Sequence, residues 1–519
     1  MRKKDYNVII VGLGMAAITA AERLTELGIQ SVAMFGTASG ASAHLSAFNL
    51  CTNTNKGGDT PIVFAEDVLR GGCRVQNPDF VYEMCARSQD CYELLLRWGA
   101  EFAKNEDGTP KLRQTCGSSK PRTLHVTTPG MNVGKMMTST MLPKLEEAGV
   151  SIFRGYTVVR LLVAEGRVVG VTTKNPDGKL EDVYAPVVMA AWGGVGRLME
   201  GTFEGFGPGT GHPDLNGNAL GMAYCSGAKV VDMEFLEYEP VCFLGGYKGA
   251  VATTQLAEGQ PDHGIAIRNN KGERFLFNVR PEGEAGVPKA VLNREVIRQV
   301  MAGNGSPEGG CYFDFSACIR EGCNDQFKRT FANLDAQGVD VKTTWIPFGS
   351  KPHSHSGGLV VDRHYATTLP GLYAAGEAIG GSQGADRAGG MGGGQAALTG
   401  LICGESIAFM ETFPDELPEC TTEFHMDADT FAEYTTRARA IAHPAFPVAR
   451  NEKDLTEAIA KLDEILAEEG LKKDDNARYA ITAMRLMLNG ALLRRESRGV
   501  HNRSDYPDEN PEFAHGIIQ

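Results

Sequence analysis

The sequence predicts an α/β fold on three observations. The chain opens with a short apolar run, a glycine turn, a helical stretch and a second apolar run. Two later apolar runs each end in glycines, and from Cys420 onward apolar side chains recur at helical spacing. Short runs without a polar face are what strands buried in a parallel sheet require.

Asn7–Val11 is the first strand, bounded by Gly12. Ala16–Gly28 follows as a helix, with Ala20, Leu24 and Leu27 on one side and Gly28 as its stop. Ser31–Phe35 is the second strand, and the turn between reads Gly12-Leu13-Gly14-Met15-Ala16-Ala17. Such a turn lets backbone amides at a helix N-terminus approach a pyrophosphate, where the helix dipole favours negative charge. With a strand readable before it and a helix after it, the turn points to a bound dinucleotide. The second strand ends in Met34-Phe35-Gly36 rather than Asp or Glu, so a ribose needs another partner.

Ser151–Arg154, Tyr156–Ala164, Arg167–Lys174 and Val183–Ala190 read as strands, with the Pro176-Asp177-Gly178 turn between two of them. They predict a small antiparallel sheet returning to the core. Val230–Phe348 is less apolar and reads as a second domain over the first. Gly358–Val361 and Gly371–Ala375 then return to the core, and Gln395–Phe409 is a closely packed helix of small residues. Asp454–Glu469 and Asn476–Glu496 complete the chain as amphipathic helices.

The formal net charge is -13 with no Lys/Arg-rich run, which argues against nucleic acid as a partner. Twelve cysteines include no CxxC; the closest pairs are Cys85/Cys91, Cys311/Cys318 and Cys318/Cys323. Structural zinc and iron–sulfur clusters want tighter runs, so free thiols in a reducing cytoplasm are expected and no metal site is. Met-Arg-Lys-Lys-Asp runs straight into a short, glycine-broken strand, which fits neither an export signal nor a membrane span.

Three more motifs follow in order: Pro186–Gly194, a strand ending in a double glycine; Leu369–Glu377, a strand ending in Gly376-Glu377; and the glycine-rich Gly384–Gly394 leading into a helix. Together with the first turn, these resemble the flavoprotein subunits of fumarate reductase, succinate dehydrogenase and L-aspartate oxidase, with adenylylsulfate reductase more distant. The resemblance covers nearly the whole chain and implies FAD. It matches Gly12, Gly14 and Ala17 to the pyrophosphate loop, and Gly193 and Gly194 to the Ala-Thr-Gly-Gly turn, with Trp192 in place of threonine. Glu377 resembles the carboxylate that holds the ribityl chain, and Asn218, Gly376 and Gly392 join the expected cofactor residues. Ser46 and Asn49, in Leu45-Ser46-Ala47-Phe48-Asn49, resemble the flavin loop of adenylylsulfate reductase. His44 lies one residue off the position where membrane-bound relatives attach FAD covalently. Arg495–His501 with Asp505-Tyr506-Pro507 is similar to the family's C-terminal helical domain.

The resemblance also implies a substrate site. Arg387 matches the substrate-gripping Arg of an Ala-Asn-Arg motif, with Asp386 for Asn; His353 falls near a substrate His; Arg294 aligns with the proton-delivering Arg. Guanidinium groups suit a carboxylate, which they bind through two parallel hydrogen bonds. Three departures from the pattern matter. Phe-His-Pro-Thr becomes Tyr238-Glu239-Pro240-Val241, and the Thr-Glu-x-x-Arg-Gly-Glu relay becomes Thr254-Gln255-Leu256-Ala257-Glu258-Gly259-Gln260, where Gln255 carries no proton. Cys242 stands where adenylylsulfate reductase has an Arg. Glu239 repels a dicarboxylate, yet pairs with an amine or donates a proton if its pKa is raised.

The expectation is therefore an α/β protein with a Rossmann-like FAD-binding domain in two segments, 1–230 and 346–419. An inserted α+β capping domain spans 231–345 and a C-terminal helical domain 420–519. FAD is expected to exchange a hydride with a small anionic substrate, most simply a carboxylate, with Arg294, Arg387, His353 and Glu239 as catalytic residues. An electron-transfer subunit needing an iron–sulfur partner, an L-aspartate-oxidase-like amine oxidase and an inactive FAD-binding scaffold are the alternatives. The expected location is cytoplasmic, with any membrane association made through a partner.

Overall fold

Four apolar runs and the half-exposed edge strand Ser151–Arg154 lie side by side as a parallel sheet in the order Leu372–Ala374, Val187–Ala190, Val8–Val11, Val32–Gly36, Ser151–Arg154. The structure is a computed structural model. It describes the chain except residues 53–56, 116, 129–130, 200–216, 248–264, 285–286, 317–324 and 447–448, and gives no side chains for 325–329. Val8–Val11 is buried throughout and leads through Gly12 into the helix Met15–Glu26, so the opening strand–turn–helix–strand unit is as expected. Gly12, Gly36, Ala191 and Ala375 all stand at the carboxyl end of this sheet, the edge where open α/β sheets bind ligands.

The closing small-residue helix is longer than expected, Met391–Met410, because its glycines continue the helix instead of preceding it. Gly400 and Gly404 sit against the backbone of Ala16 and Ala20, which brings this helix close to Met15–Glu26.

Two strands differ from expectation. The segment read as Val183–Ala190 is two strands: Leu180–Tyr184 closes the antiparallel sheet of Thr157–Ala164 and Arg167–Lys174, and Val187–Ala190 enters the parallel sheet. Pro186 separates them, since proline lacks the N–H that a continuous ladder needs. Gly358–Leu359 does not join the central sheet; it pairs with Val230–Val231 in a separate two-stranded sheet. A Cβ on Gly358 would meet the Ala378 carbonyl oxygen at 2.5 Å, so the glycine is what lets these backbones approach.

Along the chain, between Val187–Ala190 and Leu372–Ala374, comes a four-stranded antiparallel sheet, in the order Leu236–Phe243, Ile346–His355, Cys311–Asp314 and Ala266–Arg268. It has its own apolar core, including Val241, Phe243, Ile267, Phe313 and Phe348. The helix Lys289–Met301 packs on it through Asn293, which donates to the Tyr238 carbonyl at 2.8 Å.

Three long helices, Ala428–Ala445, Glu452–Leu466 and Asp475–Leu493, follow, capped by the side chains of Asp427, Asn451 and Asp474. The first of them is an addition to the two helices expected here. The chain beyond is tied back by buried charge. Arg494 pairs with Glu234 at 2.5 Å and Glu496 at 3.1 Å, and Arg498 makes two 2.8 Å bonds to Glu496. Nine described cysteines are free, and burial raises the thiols of Cys85, Cys91 and Cys403. No helix among the described residues is long and apolar enough to cross a membrane.

Candidate functional site

The carboxyl edge of the parallel sheet opens into a cavity of 2530 Å³. A site for one drug-sized ligand measures about 300–1,000 Å³, so this cavity has room for a dinucleotide and a substrate together. At one end Gly12 has φ +130°, and a Cβ there would stand 2.2 Å from the Ala191 carbonyl oxygen. Only glycine lets the first strand turn so close to the Val187–Ala190 strand. Gly14 caps the helix Met15–Glu26 with no side-chain hydrogen bond, and the Met15 amide donates to Ser42 Oγ at 3.0 Å. Ser42 thus takes one first-turn amide, and the positive end of the helix faces the cavity, where it favours an anion. Thr37 and Ser39, on the loop after the second strand, line the cavity where an acidic residue was missing.

Further along, Glu377 fills the space that a Cβ on Gly194 would take, its Oε1 being 2.6 Å from that position. It accepts from the His355 amide at 2.9 Å, and burial raises its pKa. Gly390 begins the helix Met391–Met410, again without a side-chain cap. Two helix starts at glycine N-caps, a glycine-walled trough and a buried carboxylate between them fit FAD. The first helix start suits the pyrophosphate, Glu377 a hydroxyl-bearing chain, and the second helix start a polar ring edge.

At the other end is an ionic cluster. Alternate residues of a strand share a face, so Leu236–Phe243 presents Glu237 and Glu239 together. In the neighbouring strand Glu237 pairs with Ser354 and Tyr238 with Pro352, which leaves His353 as the extra residue of a β-bulge. Bulges re-aim side chains, and His353 lines the cavity. Lys289, at the start of its helix, donates to Glu237 at 2.9 Å and to Glu239 at 2.7 Å. Arg387 grips Glu237 through Nε at 3.0 Å and Nη2 at 3.2 Å, while Ser354 Oγ donates to the same carboxylate at 3.0 Å. Burial opposes ionisation of Glu237, but Arg387 and Lys289 hold its carboxyl well below the usual range. Burial and then Lys289 lower the His353 pKa, so its imidazole is neutral at pH 7. Burial and then Glu237 push Asp386 up to about 7.

Glu237, Glu239 and His353 offer ligand atoms within 4.8 Å of one another. The Lys289 ammonium is hydrogen-bonded to both of these carboxylates, and a divalent cation there would face two fixed positive charges.

Of the expected catalytic residues, Arg387, His353 and Glu239 line the cavity. Arg294 is not among its lining residues; its side chain is 36% exposed and pairs with Glu295 at 3.3 Å. Of the expected cofactor residues, Gly12, Gly14, Ser46 and Gly193 line it, as do Asn218, Gly376, Glu377 and Gly392. Ala17, Asn49 and Gly194 are not among its lining residues. Asn49 is buried, donating to the Gly389 carbonyl at 2.8 Å and accepting from Thr123 at 2.6 Å. His44 also lines the cavity. The relay segment 254–260 lies outside the described residues. Sequence reasoning missed Glu237, Ser354 and Lys289. Glu237 had a local signal, two residues from Glu239 on one strand face; Lys289 had none.

Residues 7–392 match the FAD binding domain family, and residues 437–515 match the fumarate reductase flavoprotein C-terminal family. The L-aspartate oxidase of Caulobacter vibrioides is 28% identical, over 97% of this chain and 94% of its own length. One subunit of the fumarate reductase (CoM/CoB) of Methanothermobacter marburgensis is 25% identical, over 99% of this chain and 97% of its own length. Among solved structures, Mycobacterium smegmatis Sdh1 shares the fold at a TM-score of 0.81 and 23% identity, covering 100% of this chain and 92% of its own. E. coli quinol fumarate reductase does so at 0.79 and 21%, covering 98% and 93%.

Proposed function

The chain belongs to the FAD-binding domain family and is an FAD-dependent oxidoreductase, and on that premise we propose that it exchanges a hydride between FAD and a carbon of a small carboxylate. The observation that carries this reading is one continuous cavity. Gly12 and Glu377 at the cofactor end share it with Arg387, His353 and Glu239 at the ionic end. FAD, when bound, supplies the hydride chemistry, and the protein supplies position and electrostatics. Glu237 and Ser354 hold one edge of the Arg387 guanidinium, leaving Nη1 to receive a carboxylate. His353, held neutral, takes or returns a proton at a ring nitrogen.

We place the second redox partner outside the chain. Among the described residues the one group of three or more metal-ligating side chains is Glu237, Glu239 and His353. It lacks the thiolates that hold an iron–sulfur cluster, so an iron–sulfur subunit or another electron carrier is the partner class proposed.

Asp386 gives the site a pH dependence. It faces Glu237, Lys289 and Arg387, with Cys73 beside it. Below about 7 it is neutral; above that its carboxylate opposes an incoming carboxylate. Carboxylate affinity is expected to fall roughly tenfold as pH rises through this range. Asp386→Asn is expected to flatten the profile, read by titrating flavin absorbance at several pH values.

The function is tested by photoreducing the purified holoprotein under anaerobic conditions and adding a panel of unsaturated, keto and imino acids. At least one carboxylate is expected to reoxidise the flavin promptly, and its uncharged amide analogue is not. A flavin that stays reduced with every acid, and that no saturated acid reduces, overturns the reading.

A further inference from the structure

We propose that this site selects a small amino monocarboxylate and discriminates against dicarboxylates such as succinate. The proposal rests on the carboxylate reading above and deepens it to a substrate class.

A dicarboxylate needs two cations whose charge is not already used. Among the described residues, the cations bonded to the Glu237 and Glu239 pair are Arg387 and Lys289, so both are engaged by carboxylates of the protein. Lys289 pairs with Glu237 and with Glu239, at 2.9 and 2.7 Å. Arg387 gives Nε and Nη2 to Glu237. Two positive groups therefore face two negative ones, before any contribution from Asp386 or the neutral His353. A second ligand carboxylate would shed its hydration with no counter-charge to replace it.

What the cluster leaves open is one donor group and one acceptor. Among the described residues Arg387 makes its hydrogen bonds through Nε and Nη2, so Nη1 is the donor edge for a single carboxylate. Glu239 accepts Lys289 on Oε2, while its Oε1 is buried with no hydrogen-bond partner among the described residues. A buried carboxylate oxygen without a donor is a costly arrangement that a ligand ammonium relieves. Both open groups line the same cavity. A carboxylate on Arg387 and an ammonium on Glu239 complement them, and the zwitterion adds no net charge to a balanced site.

The test titrates FAD-loaded protein and follows the visible flavin spectrum. The ligands are glycine, L-alanine, β-alanine, 4-aminobutyrate, propionate, succinate and L-aspartate. At least one amino monocarboxylate is expected to bind about tenfold or more tightly than succinate, L-aspartate and propionate. Glu239→Gln removes one negative charge and is expected to weaken that amino acid and strengthen succinate, each by about tenfold. Retained FAD shows that the variant is folded; if it is lost, Glu239→Ala replaces it. Succinate or L-aspartate binding as tightly as the best amino monocarboxylate, or a selectivity ratio unchanged by the variants, overturns the proposal. In that case reoxidation by some carboxylate in the photoreduction experiment still upholds the hydride reading. If no acid perturbs the flavin in either experiment, both readings fall.

Discussion

Arg387→Met is expected to lower kcat/KM for the carboxylate substrate by about 10²- to 10³-fold. Removing one partner of a buried, hydrogen-bonded charge pair costs about 2–5 kcal/mol, and each 1.36 kcal/mol is about tenfold in rate. Two effects combine here. The substrate loses the Nη1 edge, and Glu237 loses the guanidinium that makes two of its hydrogen bonds. Lys289 and Ser354 remain on Glu237, so the carboxylate stays ionised and the fold is retained. Arg387→Lys is expected to recover little, because an ammonium cannot hold Glu237 and a ligand through one planar fork. Steady-state rates on protein with matched FAD content measure the effect. A loss confined to FAD content, with normal turnover per bound flavin, would show that Arg387 serves the fold alone.

The second large effect is on stability. Arg494, Glu234 and Glu496 have fully buried side chains and are linked through Arg494. Arg494 also donates to the carbonyls of Phe513 at 2.7 Å and His515 at 3.0 Å. Arg494→Met strands Glu234 without its cation and is expected to destabilise the protein by about 3–5 kcal/mol, the cost of breaking a buried ion pair from one side. Surface charge provides the contrast. Arg437 pairs with Glu468 at 41% and 37% side-chain exposure, and Arg437→Met is expected to cost about 0–1 kcal/mol. Urea unfolding of both variants, followed by fluorescence, separates the two. Equal midpoint shifts would mean that the Arg494 network contributes no more than a surface pair.

The opening strand, turn and helix were legible because everything that fixes them is local. Apolar runs, the 3.6-residue period and the glycines of the turn all lie within residues 7–36. The strand–glycine endings at Ala190 and Ala374 were legible for the same reason. The break at Pro186 had a local cause as well, but the two strands it separates go to different sheets, and only the tertiary structure assigns them.

The substrate end was legible in part. Arg387, His353 and Glu239 stood out by resemblance, yet nothing local announces that Lys289 lies between Glu237 and Glu239, about 50 residues away along the chain. The helix Lys289–Met301 also separates Lys289 from Arg294. Five residues on, at about 100° each, Arg294 is roughly 140° around the helix from Lys289. Asn293, four residues from Lys289, shares its face and meets the sheet at the Tyr238 carbonyl. A sequence match names a residue, but helical phase decides where its side chain goes.

The sequence by itself determined the α/β class and the dinucleotide-binding turn, which rest on short-range periodicity and on glycines whose backbone no other residue can replace; the FAD-linked chemistry came from the resemblance its ordered motifs carry. The tertiary structure alone decided the charge balance of the site and the buried Arg494 latch. Ion pairs form between whichever charges the fold brings within about 4 Å, and chain order does not encode that distance.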